Sequence, residues 1–158
     1  MYVIIAIIAA GFALFYCSYQ IRLGAYVRSL CRNRAAGRVV ALTFDDGPDP
    51  EQTPRVLDTL RAHGVRATFF LIGEQIAGHE DTVRRMADEG HQVGSHTFTH
   101  MDLSRGDPAE RLHEIAATDE TLRALLGDGV YWLRPPWGFL APQTAAAVEV
   151  PMVYWSLD

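Results

Sequence analysis

The chain has 158 residues and a formal net charge of −5, and all 14 of its basic residues are arginine. This length suits one ordinary domain and argues against a second large one. The absence of lysine excludes a Schiff-base lysine and a P-loop lysine. The arginines form no basic stripe, so nucleic acid is not an expected partner. The two cysteines, Cys17 and Cys31, indicate no disulfide framework.

Residues 1–21 predict a transmembrane signal-anchor. The stretch from Tyr2 to Ile21 is largely apolar and uncharged, and about 20 such residues can cross a bilayer as a helix. The alternatives are a buried core helix and a cleaved signal peptide, although a signal peptide would open with a basic segment that is missing here. Residues 22–37 follow as a basic linker. Because these arginines come after the span, the positive-inside rule would leave the rest of the chain in the cytoplasm.

From Arg38 onward, short β-rich runs alternate with amphipathic helical stretches. The predicted strands are residues 38–44, 67–73, 91–96, 130–134 and 152–157. The predicted helices are one with Thr53 as N-cap that ends at Gly64, one over 81–89, one from Pro108 to Gly127, and a short one near Pro142. The apolar residues expected on the buried face of the long helix are Leu112, Ile115, Leu122, Leu125 and Leu126.

This alternation predicts an α/β fold with a parallel sheet and helices outside it. Both a doubly wound sheet and a (β/α) barrel fit the pattern. The predicted strands are fewer than the roughly eight of a closed barrel. The chain also ends inside an apolar strand pattern, which would leave an unpaired sheet edge. We therefore expect a domain that lacks its C-terminal part.

Three short motifs follow predicted strands, and the C-terminal ends of parallel strands are where α/β folds build their active sites. The first motif is TFDDGP at 43–48. Adjacent aspartates before Gly-Pro are often only turn chemistry. However, successive residues at a strand end point to different sides. One carboxylate could then bind a metal while its neighbour accepts a proton.

The second motif is SHTFTH at 95–100, which places His96 and His100 four residues apart. Two histidines at this spacing converge on one ion when the segment makes a helical turn, although they could also be unrelated surface residues. With one aspartate they would form a two-His-one-carboxylate set. That set suits zinc and tolerates cobalt, manganese or iron.

The third motif is LRPPWG at 133–138. Pro135 and Pro136 fix the backbone in a rigid, extended turn. Arg134 could make a bidentate pair with a carboxylate, and Trp137 offers a flat face to a sugar ring. A buried loop with a packing tryptophan is the simpler alternative.

Together and in this order, the three motifs resemble those of the polysaccharide deacetylase family, the NodB homology domain that includes peptidoglycan and chitin deacetylases. The resemblance runs from Val39 to Asp158, and the segments ATFFLIG (67–73) and GHQVGSH (90–96) add to it. It implies an incomplete (β/α) barrel of the NodB deacetylase type over residues 38–158.

The resemblance also implies a role for each motif residue. Asp45 corresponds to the catalytic base, and Arg134 corresponds to the arginine that holds the base. The implied ligands of one divalent metal, zinc before cobalt, manganese or iron, are Asp46, His96 and His100. The implied substrate-binding residues are Pro135, Trp137 and Asp158.

The implied reaction removes the N-acetyl group from N-acetylglucosamine units of a polysaccharide and releases acetate. Asp45 would take a proton from the attacking water, while the metal and the Trp137 N–H stabilise the oxyanion. A general acid must then protonate the leaving amine. In the family this acid belongs to a Leu-x-His motif, which is absent from this sequence, and WSLD at 155–158 matches only the start of the motif before it. We therefore expect a fragment with little activity alone.

A second hypothesis is a non-catalytic, membrane-tethered glycan-binding protein built on a degraded deacetylase domain. Such a protein would have no need of Asp45. In both hypotheses the partner is an N-acetylated polysaccharide, and the motifs do not choose between peptidoglycan, chitin and an exopolysaccharide. Because such polymers lie outside the cytoplasm, we expect an extracytoplasmic domain, against the positive-inside argument above.

Overall fold

The computed structural model describes residues 2–19, 29–33, 35 and 37–157. Its first element is helix α1, Tyr2–Tyr19, whose described side chains are exposed. No helix in this part of the chain is both long and apolar enough to cross a membrane. The membrane span predicted over residues 1–21 is therefore not supported by the structure.

The other described elements are short strands and helices that alternate along the chain. The strands are β1 (Ser29–Leu30), β2 (Thr43–Gly47), β3 (Thr68–Leu71), β4 (Gln92–Ser95) and β5 (Met152–Val153). The helices are α2 (Gln52–Ala62), α3 (Gly73–Ile76), α4 (Glu80–Asp88), α5 (Pro108–Leu126) and α6 (Pro142–Ala147). A single 3₁₀ turn covers Pro136–Gly138. Strand β1 lies in the predicted linker, much of which falls outside the described residues.

Every strand pair in the described chain is parallel. Strands β2, β3 and β4 form a sheet in that order, and β1 pairs with β5. Leu133 links the three-stranded sheet to the β1–β5 pair, because it bridges Ser95 at the end of β4 and Met152 at the start of β5. The predicted α/β fold with a parallel sheet is confirmed. Residues 130–134 contribute this bridge rather than the full strand that we predicted.

The first predicted strand, residues 38–44, is displaced toward the C-terminus. Pairing with β3 begins at Thr43 and continues to Gly47. Val39 and Val40 are β-branched, but both are exposed, so they lack the packing that gives β-branched residues their strand preference. As a result, the two aspartates lie inside the end of β2 rather than in the turn after it.

The start of α2 also differs from the prediction, because Thr53 is not the N-cap. The helix begins at Gln52. The Asp49 carboxylate accepts hydrogen bonds from the N–H groups of Glu51 and Gln52, at 2.8 and 2.6 Å. Thr53 Oγ1 instead accepts from the Asp49 N–H at 2.9 Å. A charged acceptor makes the stronger bond to these otherwise unpaired N–H groups, so the carboxylate takes the capping role.

Other predicted helix ends are confirmed. Asp107 Oδ1 accepts from the Ala109 N–H at 2.8 Å, and Pro108 is the first residue of α5. Gly90 and Gly127 follow α4 and α5 with φ values of 79° and 91°, a region that glycine enters without a Cβ clash.

The main hydrophobic core lies between the three-stranded sheet and the helices that cover it. Its fully buried members are Leu57, Leu71, Val83, Met86 and Leu122. A second cluster surrounds Leu133 and Met152. On α5 the prediction holds for Ile115 and Leu122, which are buried, but it is wrong for Leu112, which is 37% exposed. The polar residues Arg111, Glu114 and Thr118 occupy that helix face instead.

Replacing a core leucine should destabilise the domain far more than replacing the exposed one. Leu57 is 0% exposed, so Leu57→Ala should lower the free energy of unfolding by about 2–5 kcal/mol through lost burial and a residual cavity. The matched control Leu112→Ala removes the same atoms from the surface of α5 and should cost less than about 1 kcal/mol. Urea unfolding followed by circular dichroism measures both, and equal losses would contradict this placement of the core.

Candidate active site

The two aspartates of the first motif form a β-bulge at the end of β2. Phe44 is paired with Phe69, and the next paired residue of β2, Gly47, lies opposite Leu71. Asp45 and Asp46 therefore face a single residue of β3. Asp46 has a φ of 65°, and a bulge of this kind redirects the side chains beside it. This bulge sends the two neighbouring carboxylates to different partners.

The Asp46 carboxylate lies against both histidines of the second motif. Its Oδ1 is 3.4 Å from Nε2 of His96 and 3.1 Å from Nε2 of His100. The ligand atoms of the three residues all lie within 4.8 Å of one another. One carboxylate oxygen and two imidazole nitrogens are donors that zinc and other divalent transition metals accept. The arrangement can hold one ion and leaves coordination positions for other ligands.

The hydrogen bonding of His96 fits it for metal ligation. Its Nδ1 is 2.6 Å from the carbonyl oxygen of Arg134. A carbonyl can only accept, so Nδ1 carries the proton and Nε2 presents its lone pair to Asp46 and His100. Burial lowers the pKa of His96, against the opposing effect of Asp45. Burial thus favours the neutral imidazole that a metal requires, and the hydrogen bond to Arg134 selects the tautomer whose Nε2 can bind the metal.

The other aspartate, Asp45, is paired with Arg134. Nη1 of Arg134 donates to Asp45 Oδ1 at 2.7 Å and to Thr43 Oγ1 at 2.8 Å. Arg134 is 2% exposed, and its guanidinium carbon lies 4.1 Å from the ring centre of Phe70. Only one guanidinium nitrogen reaches the carboxylate, so the bidentate pair considered from the sequence is not formed. The contact still fixes Asp45 next to Asp46.

The third motif brings an aromatic side chain to the histidines. Pro135 is buried and precedes the 3₁₀ turn, in which Trp137 has a φ of 53°. The Trp137 ring lies edge-on to His100, with ring centres 4.4 Å apart, and it is 56% exposed. An exposed ring beside a metal-binding group can line a groove for a sugar. Asp158, predicted to contact substrate, lies outside the described residues.

The segment between the two histidines, residues 96–100, is called the histidine loop below. Thr97 and His100 have φ values of 68° and 61°, so the loop does not form the regular helical turn that the spacing suggested. The convergence of the two rings comes instead from these left-handed residues. Ring centres of His96 and His100 are 5.0 Å apart.

Sequence reasoning missed two residues that contact this site. Thr43 accepts a hydrogen bond from Arg134. Apart from its position two residues before Asp45, nothing in the sequence indicates this contact. Glu114 accepts hydrogen bonds from the N–H groups of Phe98 and Thr99 in the histidine loop. Its signal was present, because a glutamate beside Ile115 and four residues before Thr118 falls on the buried face of a predicted amphipathic helix.

The parallel strand ends of this α/β fold thus carry an Asp-His-His cluster that could hold a metal ion, next to an aspartate that is held by an arginine. Residues 32–154 match the model of the family described as polysaccharide deacetylase. The chain belongs to the polysaccharide deacetylase family.

Curated relatives carry names from the same family. The chain is 45% identical over 122 residues to a peptidoglycan-N-acetylglucosamine deacetylase of Bacillus cereus, an alignment that covers 75% of this chain and 44% of the relative. It is 43% identical over 125 residues to a chitooligosaccharide deacetylase of a Bradyrhizobium species, covering 77% of this chain and 57% of the relative. The chain thus spans about half the length of the curated relatives it matches.

A solved structure supports the fold and the metal interpretation. A family 4 acetyl xylan esterase from Clostridium thermocellum, determined in complex with a cobalt ion, superposes with a TM-score of 0.68 at 33% identity. The match covers 72% of this chain and 56% of that one. That structure holds a cobalt ion, and Asp46, His96 and His100 of this chain form a group that could hold a metal ion.

Removing one histidine should abolish metal binding. His100→Ala deletes one of three converging ligand atoms, so the zinc affinity should fall by more than about 100-fold, beyond the usual effect of losing an outer-shell partner. His113→Ala, an exposed histidine of α5, is the matched control and should bind zinc as the unaltered chain does. Competition with a chromogenic zinc chelator measures both. Unchanged affinity in His100→Ala would place the metal site elsewhere.

Proposed function

We propose that this protein hydrolyses the N-acetyl group of N-acetylglucosamine units in a cell-wall or extracellular polysaccharide and releases acetate. The observation that carries the proposal is the division of labour between Asp45 and Asp46. Adjacent residues of one strand end face a buried arginine and a pair of histidines, respectively. Asp45 takes no part in the Asp-His-His cluster and lies beside it, where a carboxylate can accept a proton from a water at the cluster. Its relatives' names support the substrate class.

The residues of the chain suit an acyl-transfer reaction with water. Asp45 is positioned to accept a proton from the attacking water, and Arg134 holds its carboxylate in place by direct hydrogen bonding. Trp137 packs beside His100 and presents its ring to the sugar. The backbone N–H of Trp137 is proposed to donate a hydrogen bond to the developing oxyanion. A bound divalent cation supplies Lewis-acid polarisation of the acetamide carbonyl and lowers the pKa of a water.

Zinc is the proposed ion, with cobalt, manganese and iron as alternatives that the same ligands accept. The ligand set of two imidazoles and one carboxylate leaves positions open, as catalytic zinc sites require. We also propose that the parallel strands belong to a (β/α) barrel of the NodB type. Among the described residues we assign no general acid for the leaving amine.

Replacing the proposed base should remove turnover and spare binding. Asp45→Asn keeps the size of the side chain but cannot accept the proton, so the rate of acetate release from chitooligosaccharides or peptidoglycan should fall by about 10²–10⁴-fold. Asp81→Asn makes the same change at a fully exposed site on α4 and should leave the rate unchanged. Acetate is measured enzymatically with saturating zinc, and glycan affinity is measured in parallel.

The outcome separates the enzyme from the glycan-binding alternative. Loss of turnover with retained glycan affinity in Asp45→Asn supports the deacetylase. Acetate release that is the same in Asp45→Asn as in the unaltered protein, with glycan bound by both, would favour a non-catalytic binding protein. A thermal melt must show that Asp45→Asn is still folded, because this variant removes the negative charge that pairs with the buried guanidinium of Arg134.

We further propose that the domain lies on the extracytoplasmic side, where polymers of this class are found. The arginines after residue 21 argue for the opposite side. Fusion of alkaline phosphatase to the C-terminus in a bacterial host should give an active phosphatase, since that enzyme requires the oxidising periplasm for its disulfides. An inactive phosphatase fusion, together with a fluorescent green fluorescent protein fusion, would place the domain in the cytoplasm instead.

A further inference from the structure

Glu114 is a buried carboxylate whose hydrogen-bond partners all belong to the histidine loop. It is 8% exposed on α5. Its Oε2 accepts from the N–H groups of Phe98 at 3.0 Å and Thr99 at 2.8 Å, and its Oε1 accepts from the Thr99 hydroxyl at 2.9 Å. Within the described residues it forms no salt bridge. Burying a carboxylate without a cation is costly unless hydrogen bonds satisfy it, so these three bonds are what allows Glu114 to be buried there.

The histidine loop needs support from outside itself. Thr97 and His100 adopt left-handed backbone conformations, which are unfavourable for residues other than glycine. Such conformations persist only where the surroundings over-determine them. Free of these contacts, the loop would relax and the two imidazoles would no longer converge.

The support comes from two sides. At the start of α3, the N–H groups of Gly73 and Glu74 donate to the carbonyls of Thr97 and Phe98, both at 2.9 Å. The Glu114 carboxylate takes the N–H groups of the same part of the loop. Phe98 therefore has its carbonyl held by α3 and its N–H held by α5. A backbone fixed at both groups has little freedom to rotate.

Close packing leaves the loop no alternative position toward α3. A Cβ atom added to Gly73 would lie 2.5 Å from Cδ2 of Phe98 and 2.8 Å from Oγ1 of Thr118. Thr118, one turn after Glu114, also donates its hydroxyl proton to the Glu114 carbonyl at 3.1 Å. The carboxylate thus projects from a helix that is itself packed against the loop, so its position is set by the core.

We propose that Glu114 is a positioning residue that presets the histidine loop for metal binding. It touches no metal ligand side chain, and it acts through the backbone between His96 and His100. This inference rests on the proposed metal centre of the preceding section. It adds a residue outside the three sequence motifs to the apparatus of the site.

The test compares zinc affinity in the full chain and its variants by competition with a chromogenic chelator. Glu114→Ala removes all three acceptors and should weaken zinc binding by about tenfold or more, as losses of outer-shell partners do. Glu114→Gln keeps an oxygen for the N–H groups and an amide that can donate to the Thr99 hydroxyl, so its loss should be smaller. The visible spectrum of the cobalt-loaded Glu114→Gln variant should also shift, because the ligand geometry changes.

Two controls separate positioning from stability. Glu120→Gln changes the same charge at an exposed site of α5 and should not alter zinc affinity. Leu122→Ala destabilises the same helix through the core, where Leu122 is fully buried, and should lower the melting temperature without weakening zinc binding by the folded chain.

Each result decides the proposal. Weaker zinc binding in the Glu114 variants and unchanged binding in both controls support it. If Glu114→Ala does not fold, Glu114→Gln decides: weaker binding with a shifted cobalt spectrum supports the proposal, and unaltered binding overturns it. Equal losses in Leu122→Ala would also overturn it, since they would show a general effect of stability. Absence of zinc binding by the unaltered chain would instead remove the metal centre itself, and this inference with it.

Discussion

The buried guanidinium of Arg134 is the interaction on which the rest of the site depends. It donates hydrogen bonds to Asp45 and Thr43 on β2, and its central carbon lies over the ring of Phe70 on β3. The Arg134 carbonyl accepts a hydrogen bond from Nδ1–H of His96, and the Arg134 backbone N–H donates to the Ser95 carbonyl at the end of β4. One residue therefore fixes the proposed base by its side chain and the tautomer of a proposed metal ligand by its carbonyl.

This concentration of contacts links activity to stability. A charge as buried as that of Arg134 is tolerated because a carboxylate, a hydroxyl and a carbonyl oxygen of Val153 surround it. Losing one partner of a buried ion pair typically costs about 3–5 kcal/mol, mostly because the other charge is left unpaired. Asp45 is partly exposed, which lowers that cost, but the direction is the same. The proposed base is also a structural counter-ion.

The sequence predicted the parts of this structure that depend on local pattern. The strand-helix alternation, the C-terminal ends of α4 and α5, the starts of α5 and α6, and the position of the motifs at strand ends follow from periodicity and from the backbone preferences of proline and glycine. What it missed depends on which of several possible contacts form in the folded chain. The cap of α2 turned on competition between Asp49 and Thr53, and strand β2 was displaced because Val39 and Val40 have no packing partner. Leu112 was misplaced because α5 buries polar side chains toward the histidine loop.

Backbone conformation identifies the same site independently of the motifs. Within the described residues, the non-glycine residues with positive φ are Asp46, Thr97, His100 and Trp137. All of them belong to the bulge, the histidine loop or the 3₁₀ turn that surround the proposed metal. Strain of this kind persists where the fold over-determines it, and it clusters at functional sites. Asp46 and His100 are both proposed ligands, so the strain falls on residues whose side-chain direction matters most. The distribution of strain therefore joins the bulge, the histidine loop and the 3₁₀ turn into one site, in which backbone conformation sets the direction of the side chains.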